Sequence, residues 1–402
     1  MAAVGFALTA YPIGVERGYV TRAEAAERTR TTLEFFWRAP QAPHPARVTG
    51  YNGFFYHFLD METGYRFETV ELSTIDTALL LAGAIACREY FDSAAPVETA
   101  IRDLVDSIYF RVNWRWAQVR PPLVSMGWKP EQGFLGYDWH GYNEAMILLI
   151  LALGSPTHPI GADAWDAWTS TYTWSTFRGQ SMVQFAPLFG HQYSHVWVDF
   201  RGIKDGYMQN RGIDYFENSR RATYSQRTYA MANPMRWRGY GADIWGLTAS
   251  DGPIDTTMTV SGAQRTFFTY AARGAAGNEV RDDGTIAPTA AGGSVPFAPE
   301  ITIPALKAMR RSYGGQLFTE YGFLDAFNPT FTFTSVRLRH GRVDPQHGWY
   351  DTDHLGIDQG PILAMVENYR SELIWRLMRK NPYIRRGLER AGFTGGWLSE
   401  PQ

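Results

Sequence analysis

The sequence predicts an all-α protein whose helices form an α/α toroid, with short β segments in the loops. Three observations carry this prediction. Apolar residues recur at helical spacing along most of the 402 residues, the connecting segments are rich in Gly, Pro, Trp and Asp, and strands do not alternate with helices as in a parallel sheet. The length allows one large core or two, and because a low-complexity linker is missing we predict a single domain over residues 1–402.

The predicted helices follow one another along the chain. The first ends at Pro12–Gly14. The second begins at Thr21, where Glu24 completes a capping box, and the third, Thr74–Tyr90, is apolar on most faces and is expected to be buried. The other predicted helices are Ala95–Phe110, Asn143–Leu153, Ala162–Thr171, Phe185–Asp199, Gly212–Met231, Val260–Ala275, Glu300–Glu320 and Gln359–Lys380.

Short extended segments are predicted at Gly53–Asp60, Tyr65–Thr69 and Thr330–Val336. The Gly/Pro/Ala-rich segment Asp282–Pro299 has the composition of an interdomain linker. However, its proline and phenylalanine residues around a Gly-Gly pair favour an ordered loop that crosses a pocket. In an α/α toroid, loops at one end of the ring of helices build the site.

Composition excludes several classes of function. A net charge of −2 without a run of Lys or Arg predicts binding neither to nucleic acid nor to an anionic membrane, and no apolar run reaches the ~20 residues of a membrane span. The 14 Trp, 22 Tyr and 24 Phe side chains suit stacking on sugar rings, although a large helical core also uses them. The one cysteine, Cys87, lies in an apolar run and is predicted to be a buried structural thiol.

Metal and nucleophile motifs are incomplete. The segment HQYSH places His191 and His195 on one helix face, but it lacks the Glu of HExxH and the chain has no Cys pair. Ser194 is outside any GxSxG elbow, and GGSVP lacks the Lys of a phosphate-binding loop. The remaining candidate histidines, His340 and His354, complete no ligand motif, so we predict neither a metal nor another cofactor.

The segment Asp199–Arg236 carries the strongest local signal for chemistry. It sets Glu217 among Asp214, Arg220, Arg221 and several aromatic residues, just before a long helical pattern. An acid among arginines and aromatic rings offers a proton donor, hydrogen-bond donors for hydroxyl groups and flat faces for sugar rings. The same spacing also fits ordinary i,i+4 ion pairs on a solvated helix face, and the local pattern leaves both interpretations open.

Further carboxylates lie beside Gly, Tyr or Trp near predicted helix starts. Glycoside hydrolysis needs two carboxyl groups that flank the scissile bond, one protonated and one ionised. For each acid alone, a helix cap or a buried ion pair is the structural alternative, and for Asp358 a cap of the last predicted helix fits equally well. These acids are Asp138 and Glu144, Asp325, and the group Asp351, Asp353 and Asp358.

Motifs in the same order over nearly the whole chain resemble the glycoamylase-like domain family. That family includes the bacterial endo-β-1,2-glucanases of glycoside hydrolase family 144, and a related domain of cyclic β-1,2-glucan synthases carries out transglycosylation. The resemblance implies an (α/α)6 barrel that acts on β-1,2-linked glucan. The matching segments are VELSTIDTALLLAGAI, GYNEAM, HQYSHVWVDFRGI, DYFENSRRAT, WGLTASDGP, DGTIAPTAAGGSVPFAPEI, YGFLDAFNP and GIDQGPI.

The resemblance also implies roles for individual residues. Glu217 matches the proposed general acid of the family. Glu144 matches a second essential carboxylate, which resembles the nucleophile in the synthase-type domains, and Asp358 stands where the inverting hydrolases hold their base or position water. The residues predicted to bind substrate are Tyr137, Asp138, Trp139, His195, Asp214, Arg221, Asp325 and Trp349.

We therefore predict an endo-acting, anomer-inverting β-1,2-glucan hydrolase with Glu217 as its acid and Asp358 or Glu144 as its base. The alternatives are a retaining transglycosylase, an exo-acting enzyme that releases sophorose units, and a glucan-binding protein without catalysis. Family members are expected in the periplasm or outside the cell, whereas the start of this sequence lacks a signal peptide and fits a cytoplasmic protein. The sequence predicts no oligomeric state.

Overall fold

A computed structural model describes residues 1–400 of the chain. The fold is helix-rich, with 43% of residues in helices, as predicted. The chain forms two compact units. Unit 1 comprises residues 1–172, 194–215 and the segment that begins at Arg370, and unit 2 comprises residues 173–193 and 216–369. The single domain over residues 1–402 stays a prediction. Among the described residues, no helix has the length and apolar character that a membrane crossing needs.

Unit 1 contains most of the helices. Helix Arg22–Arg38 begins with the predicted capping box, in which Thr21 Oγ1 accepts from the Glu24 amide and Glu24 Oε2 accepts from the Thr21 amide. The predicted buried helix Thr74–Tyr90 is confirmed with the same bounds. The remaining helices that lie wholly or mainly in this unit are Ala2–Glu16, Pro96–Arg111, Met146–Gly154, Asp163–Thr169, Tyr193–Trp197, Gly206–Arg211, Leu373–Arg379 and Pro382–Arg390.

Helices Ala2–Glu16 and Thr74–Tyr90 pack with their backbones in contact. A Cβ atom on Gly83 would lie 1.9 Å from the carbonyl oxygen of Gly5, and one on Gly5 would lie 2.1 Å from that of Leu79. Only glycine fits at such distances, so the pair sets the separation of the two helices.

Replacing Gly83 with Ala is therefore expected to lower the free energy of unfolding by about 1–3 kcal/mol, because the two helices must separate to make room for the methyl group. The better helix propensity of Ala offsets only part of that cost. Gly206→Ala is the control, since nothing lies within 4 Å of a Cβ at that position. Urea unfolding of both variants measures the difference. Equal midpoints for the two variants would contradict the close approach.

A small sheet in unit 1 leads into helix Thr74–Tyr90. Its five antiparallel strands are joined in chain order. The predicted extended segment Gly53–Asp60 is a strand only over its first part, and Tyr65–Thr69 contributes a single bridge between Leu59 and Arg66. The strands are Gly50–Tyr51, Phe54–Tyr56, Leu72–Ser73, Gly127–Lys129 and Gly133–Phe134.

Unit 2 combines four helices with short antiparallel strands. Its buried core includes Trp245, Phe327 and Tyr350, and a second cluster surrounds Trp349. The helices are Tyr215–Ala232, whose first residue belongs to unit 1, Pro288–Gly292, Pro299–Tyr313 and Gly356–Ser371, which continues into unit 1. The strands are Trp174–Phe177, Gln180–Val183, Ala249–Ser250, Thr256–Val260, Ala263–Phe267, Ala271–Ala272, Gly274–Ala275, Val280–Arg281, Phe318–Thr319, Gly322–Phe323, Phe327–Asn328, Arg342–Asp344 and Gly348–Tyr350.

The predicted helix Val260–Ala275 is wrong. Strands Thr256–Val260 and Ala263–Phe267 pair as an antiparallel hairpin. The two residues between them, Ser261 and Gly262, have φ of 49° and 82°, which is the backbone of a tight hairpin turn. The Ser-Gly turn therefore decides the local structure, and the β-branched residues before it favour a strand.

Three other predicted helices are shorter than expected, and in two of them a single residue with positive φ ends the helix. The segment predicted as helix Phe185–Asp199 contains a 3₁₀ turn at Leu188–His191 and helix Tyr193–Trp197. Helix Pro299–Tyr313 ends at Gly314, whose φ is 50°, and Glu372 with φ of 57° separates two helices at the chain end. Thr330–Val336 forms no strand. Residues 283–298, within the predicted loop Asp282–Pro299, are buried and include helix Pro288–Gly292.

Candidate active site

Glu217 lies in the first turn of helix Tyr215–Ala232, near the positive end of the helix dipole. Arg221, one turn further on, donates from Nε to Glu217 Oε1 at 2.8 Å and from Nη1 to the Ser181 carbonyl at 2.9 Å. The side chains of Glu217 and Arg221 are 39% and 27% exposed. The i,i+4 ion pair that the sequence left open is thus present, and it holds a solvent-accessible carboxyl group next to a guanidinium that hydroxyl groups can also contact.

The neighbouring arginine has a different role. Arg220 Nη1 donates to the Phe297 carbonyl at 2.7 Å, and its Nη2 is paired with Glu300 at 2.7 Å. Arg220 therefore ties helix Tyr215–Ala232 to the start of helix Pro299–Tyr313. Asp214, predicted to bind substrate, accepts in unit 1 from the Gly202 amide at 2.9 Å.

Asp358 lies in the first turn of helix Gly356–Ser371 and is buried, with 4% of its surface exposed. Its carboxyl group is hydrogen-bonded to that of Asp325, which is also buried. Two carboxyl groups can share such a bond only if one of them carries a proton. Burial raises the pKa of Asp358 to about 7, and burial with the charge of Asp358 raises the pKa of Asp325 well above its usual value.

More acidic groups surround this pair in unit 2. Carboxylate oxygens of Asp251, Asp325 and Asp351 all lie within 4.8 Å of one another. Burial raises the pKa of Asp351 to about 6, with the charges of Asp251 and Asp353 adding to the shift. Asp251 and Asp325 are further connected, because the Asp251 amide donates to Asp325 Oδ2 at 2.7 Å. Loops after separate strands thus bring together acids that are far apart in the sequence.

Glu144 belongs to unit 1 and stands just before helix Met146–Gly154. Ser194 Oγ holds this turn: it donates to the Glu144 carbonyl at 3.1 Å and accepts from the Ile147 amide at 3.0 Å. Ser194 is therefore a structural residue. Burial raises the pKa of Glu144 to about 7, and the negative charge of Asp76 contributes in the same direction.

The raised pKa of Glu144 predicts a pH dependence of stability. The folded state retains the Glu144 proton up to about pH 7, whereas the unfolded chain loses it near pH 4.3, so the stability must fall as pH rises through this window. Glu144→Gln has no such proton to lose. In urea unfolding at pH 5 and pH 8, we expect wild type to lose more stability than the Gln variant between the two pH values. Identical losses would contradict the raised pKa.

Among the substrate-binding candidates around Glu144, only Tyr137 has a widely exposed ring, at 70%. Asp138 is paired with Arg120, which donates from Nε and Nη2 at 2.7 Å each. Trp139 is buried, and its Nε1 donates to Thr74 Oγ1 at 2.9 Å. A sugar ring can therefore stack on Tyr137, while Trp139 positions the loop.

Two other candidates lie inside the protein. Trp349 is fully buried and donates from Nε1 to the His340 carbonyl at 2.9 Å. His195 is buried against Phe200, and its carbonyl accepts from Trp375 Nε1 at 2.7 Å. Such burial favours packing over direct contact with a ligand, and a substrate-binding role for either residue stays a prediction.

Two further acids, Asp76 near Glu144 and Asp251 near Asp325, are not among the residues predicted from the sequence. Asp76 is buried at the start of helix Thr74–Tyr90, where its carboxylate accepts from the Ala2 amide and from Ser73 Oγ. Both acids lie within segments that resemble the family, VELSTIDTALLLAGAI and WGLTASDGP. That shared location is the signal that could find them, although Asp76 also fits an ordinary helix start after the Ser73 cap and no periodicity marks Asp251.

Glu217 thus offers an accessible carboxyl group paired with an arginine, and Glu144 and Asp358 offer buried carboxyl groups with raised pKa values. Glycoside hydrolysis uses carboxyl groups of both kinds. The model of the glycoamylase family, described as "Putative glucoamylase", matches residues 136–382, which is more than half of the chain. The chain therefore belongs to this family, as the sequence motifs indicated.

Relatives with known names come from several bacteria. The chain is 28% identical to the exo β-1,2-glucooligosaccharide sophorohydrolase (non-reducing end) of Parabacteroides distasonis over 96% of its own length, but spans only 52% of that protein. A Bacteroides uniformis structure with the same description as the family matches 99% of this chain and 89% of that one, with TM-score 0.83 and 31% identity. An endo-β-1,2-glucanase from Chitinophaga pinensis, solved with sophorotriose and glucose, matches 99% and 88%, with TM-score 0.82 and 29% identity.

Proposed function

We propose that the chain is a glycoside hydrolase that cleaves β-1,2-glucan within the polymer, on an (α/α)6 barrel, with inversion of the anomeric carbon. The observation that carries this proposal is the match to the Chitinophaga endo-β-1,2-glucanase, which extends over 99% of this chain with TM-score 0.82. The name of the Parabacteroides relative supports the same linkage. Glu217 and Asp358, both in unit 2, are carboxyl groups of the kinds that a two-carboxyl reaction needs.

Glu217 is the proposed general acid. Its position on the first turn of a helix and its 39% exposure leave the carboxyl group accessible to a glycosidic oxygen. Before it donates a proton it must hold one, so the contact with Arg221 has to loosen when substrate binds. Substrate hydroxyl groups are suitable new partners for the guanidinium, whose donors then hold the sugar in place.

The base is proposed to be Asp358, with Glu144 as the other candidate. Inversion requires a carboxylate that removes a proton from water on the face opposite the acid. Asp358 is supported by its place in the GIDQGP segment. It is buried, which favours proton transfer through an ordered water or a substrate hydroxyl group rather than direct contact with the scissile bond.

A retaining transglycosylase is a second candidate, with Glu144 as the nucleophile. A nucleophile must be ionised, and a carboxyl group with a pKa of about 7 is only partly ionised at neutral pH. Asp358 has the same pKa of about 7, so this value does not separate a nucleophile from a base, and the match to the Chitinophaga endo-β-1,2-glucanase is what favours the hydrolase.

An exo-acting enzyme is a third candidate, because the Parabacteroides relative is named as a sophorohydrolase. Product lengths distinguish the two modes of cleavage. Linear β-1,2-glucan labelled at its reducing end should give a broad range of labelled oligosaccharides early in an endo reaction. Accumulation of disaccharide alone, while the labelled polymer shortens stepwise, would replace the endo proposal with the exo one. Binding without cleavage of any β-1,2-glucan would leave a glucan-binding protein.

A further inference from the structure

The acidic cluster in unit 2 contains buried oxygen atoms without hydrogen-bond donors. Asp351 is fully buried, and its Oδ1 accepts from the Thr352 amide at 2.6 Å, but its Oδ2 has no partner among the described residues. Asp325 Oδ1 is likewise buried, and apart from the carboxyl group of Asp358 it has no hydrogen-bond donor among the described residues. Unsatisfied carboxylate oxygens are costly inside a protein, so such atoms are expected to face a ligand.

Arg273 lies beside the cluster but does not pair with its carboxyl groups. The guanidinium of Arg273 is paired with Asp283, with Nε to Oδ1 at 2.7 Å and Nη2 to Oδ2 at 2.8 Å. It contacts the cluster only through the Asp251 carbonyl, at 3.3 Å. Three other titratable side chains lie next to the three acids. Asp358 contacts Asp325, and Asp353 and His340 lie beside Asp251. Among the described residues, the three carboxyl groups of the cluster therefore have no guanidinium paired with them.

We propose that Asp251, Asp325 and Asp351 bind a calcium ion. The three carboxylates offer oxygen atoms that all lie within 4.8 Å of one another, which is close enough for them to bind one Ca²⁺ ion together, with Ca–O distances of about 2.3–2.6 Å. An all-oxygen donor set favours a hard cation over zinc or copper. Water molecules complete the coordination on the side of Asp251, which is partly exposed.

The ion would join three strand ends of unit 2. Asp251 follows strand Ala249–Ser250, Asp325 precedes strand Phe327–Asn328, and Asp351 follows strand Gly348–Tyr350. The last two strands are paired with each other. Because Asp325 also contacts Asp358, the ion would fix the start of helix Gly356–Ser371. This structural role of the ion is independent of which glucan the protein cleaves.

Metal content and thermal unfolding of the full chain test the proposal. After removal of metals with EDTA and dialysis into calcium, we expect one calcium per chain by mass spectrometry and a rise in Tm of several degrees, with a smaller response to magnesium. Asp351→Asn keeps the acceptor for the Thr352 amide and removes one ligand, so it should lose most of the bound calcium and the Tm shift. Asp255→Asn, on an exposed acid that contacts Thr269, is the matched control and should keep both.

Two results would overturn the calcium site. One is wild-type protein without stoichiometric calcium at millimolar concentration, which would mean that the cluster holds only protons. The other is an Asp351→Asn variant that binds calcium as wild type does. If that variant does not fold, Asp251→Asn takes its place, since Asp251 is partly exposed and its amide contact with Asp325 is unchanged.

Discussion

Replacing Glu217 with Gln is expected to lower kcat on linear β-1,2-glucan by about 10²–10⁴-fold, the usual contribution of a positioned general acid. Gln has the same size and keeps an acceptor for Arg221 Nε, which lies 2.8 Å from Glu217 Oε1. It cannot give a proton to the leaving oxygen. The KM is expected to change little, because the groups that bind the sugar remain in place.

The control for this variant is Glu279→Gln, on an exposed carboxyl group of unit 2, which is expected to retain wild-type kcat. A substrate with a dinitrophenol leaving group adds a chemical check, since its anion is stable enough to depart without a proton. The Glu217→Gln variant should recover much of its rate on that substrate. Unchanged kcat on the glucan, or an equal loss on both substrates, would remove Glu217 from the role of acid.

The second large effect concerns the buried pair Arg273–Asp283, whose side chains are both fully buried. Burial alone would raise the pKa of Asp283, but the charge and hydrogen bonds of Arg273 hold it below its usual value. Arg273→Met leaves this carboxylate unpaired and removes the donors to the Ser250 and Phe268 carbonyls. We expect a loss of about 3–5 kcal/mol in the free energy of unfolding, measured in urea.

The double variant Arg273→Met with Asp283→Asn separates charge burial from lost hydrogen bonds. Asn keeps an acceptor for the backbone amides of Phe268 or Thr285 and removes the unpaired charge, so the double variant is expected to be more stable than the single one. Arg30→Met, in a solvent-facing ion pair with Glu27 and Glu34, should have a far smaller effect. A double variant less stable than Arg273→Met would contradict the electrostatic account.

The helices that could be predicted are those with complete local signals. Thr21 and Glu24 fix the start of their helix through a capping box, and Thr74–Tyr90 is apolar enough for its bounds to be predicted correctly. The predicted helices are wrong where one or two residues with positive φ change the direction of the backbone. The Ser261–Gly262 turn converts a predicted helix into a hairpin, and Gly314 ends a helix that periodicity extends further.

In the candidate site, too, the contacts that could be predicted are those between residues close together in the sequence. The contact between Glu217 and Arg221 follows from helical spacing, so the sequence could predict it. The pairing of Asp325 with Asp358 and the approach of Asp251 depend on how distant loops meet, which no local pattern encodes. Burial also changes the chemistry of predicted residues: Trp349 and His195 have the right side chains for sugar binding, yet the fold encloses them.

The most direct test of the central proposal is to follow the reaction with linear β-1,2-glucan by NMR, with a β-1,3-glucan as the control substrate. The account predicts cleavage of the β-1,2-glucan alone, with the α-anomer of the new reducing end appearing first because the reaction inverts a β-linkage. An early β-anomer or products longer than the substrate would make the protein a retaining enzyme. No cleavage of the β-1,2-glucan, or faster cleavage of the β-1,3-glucan, would contradict the proposed function.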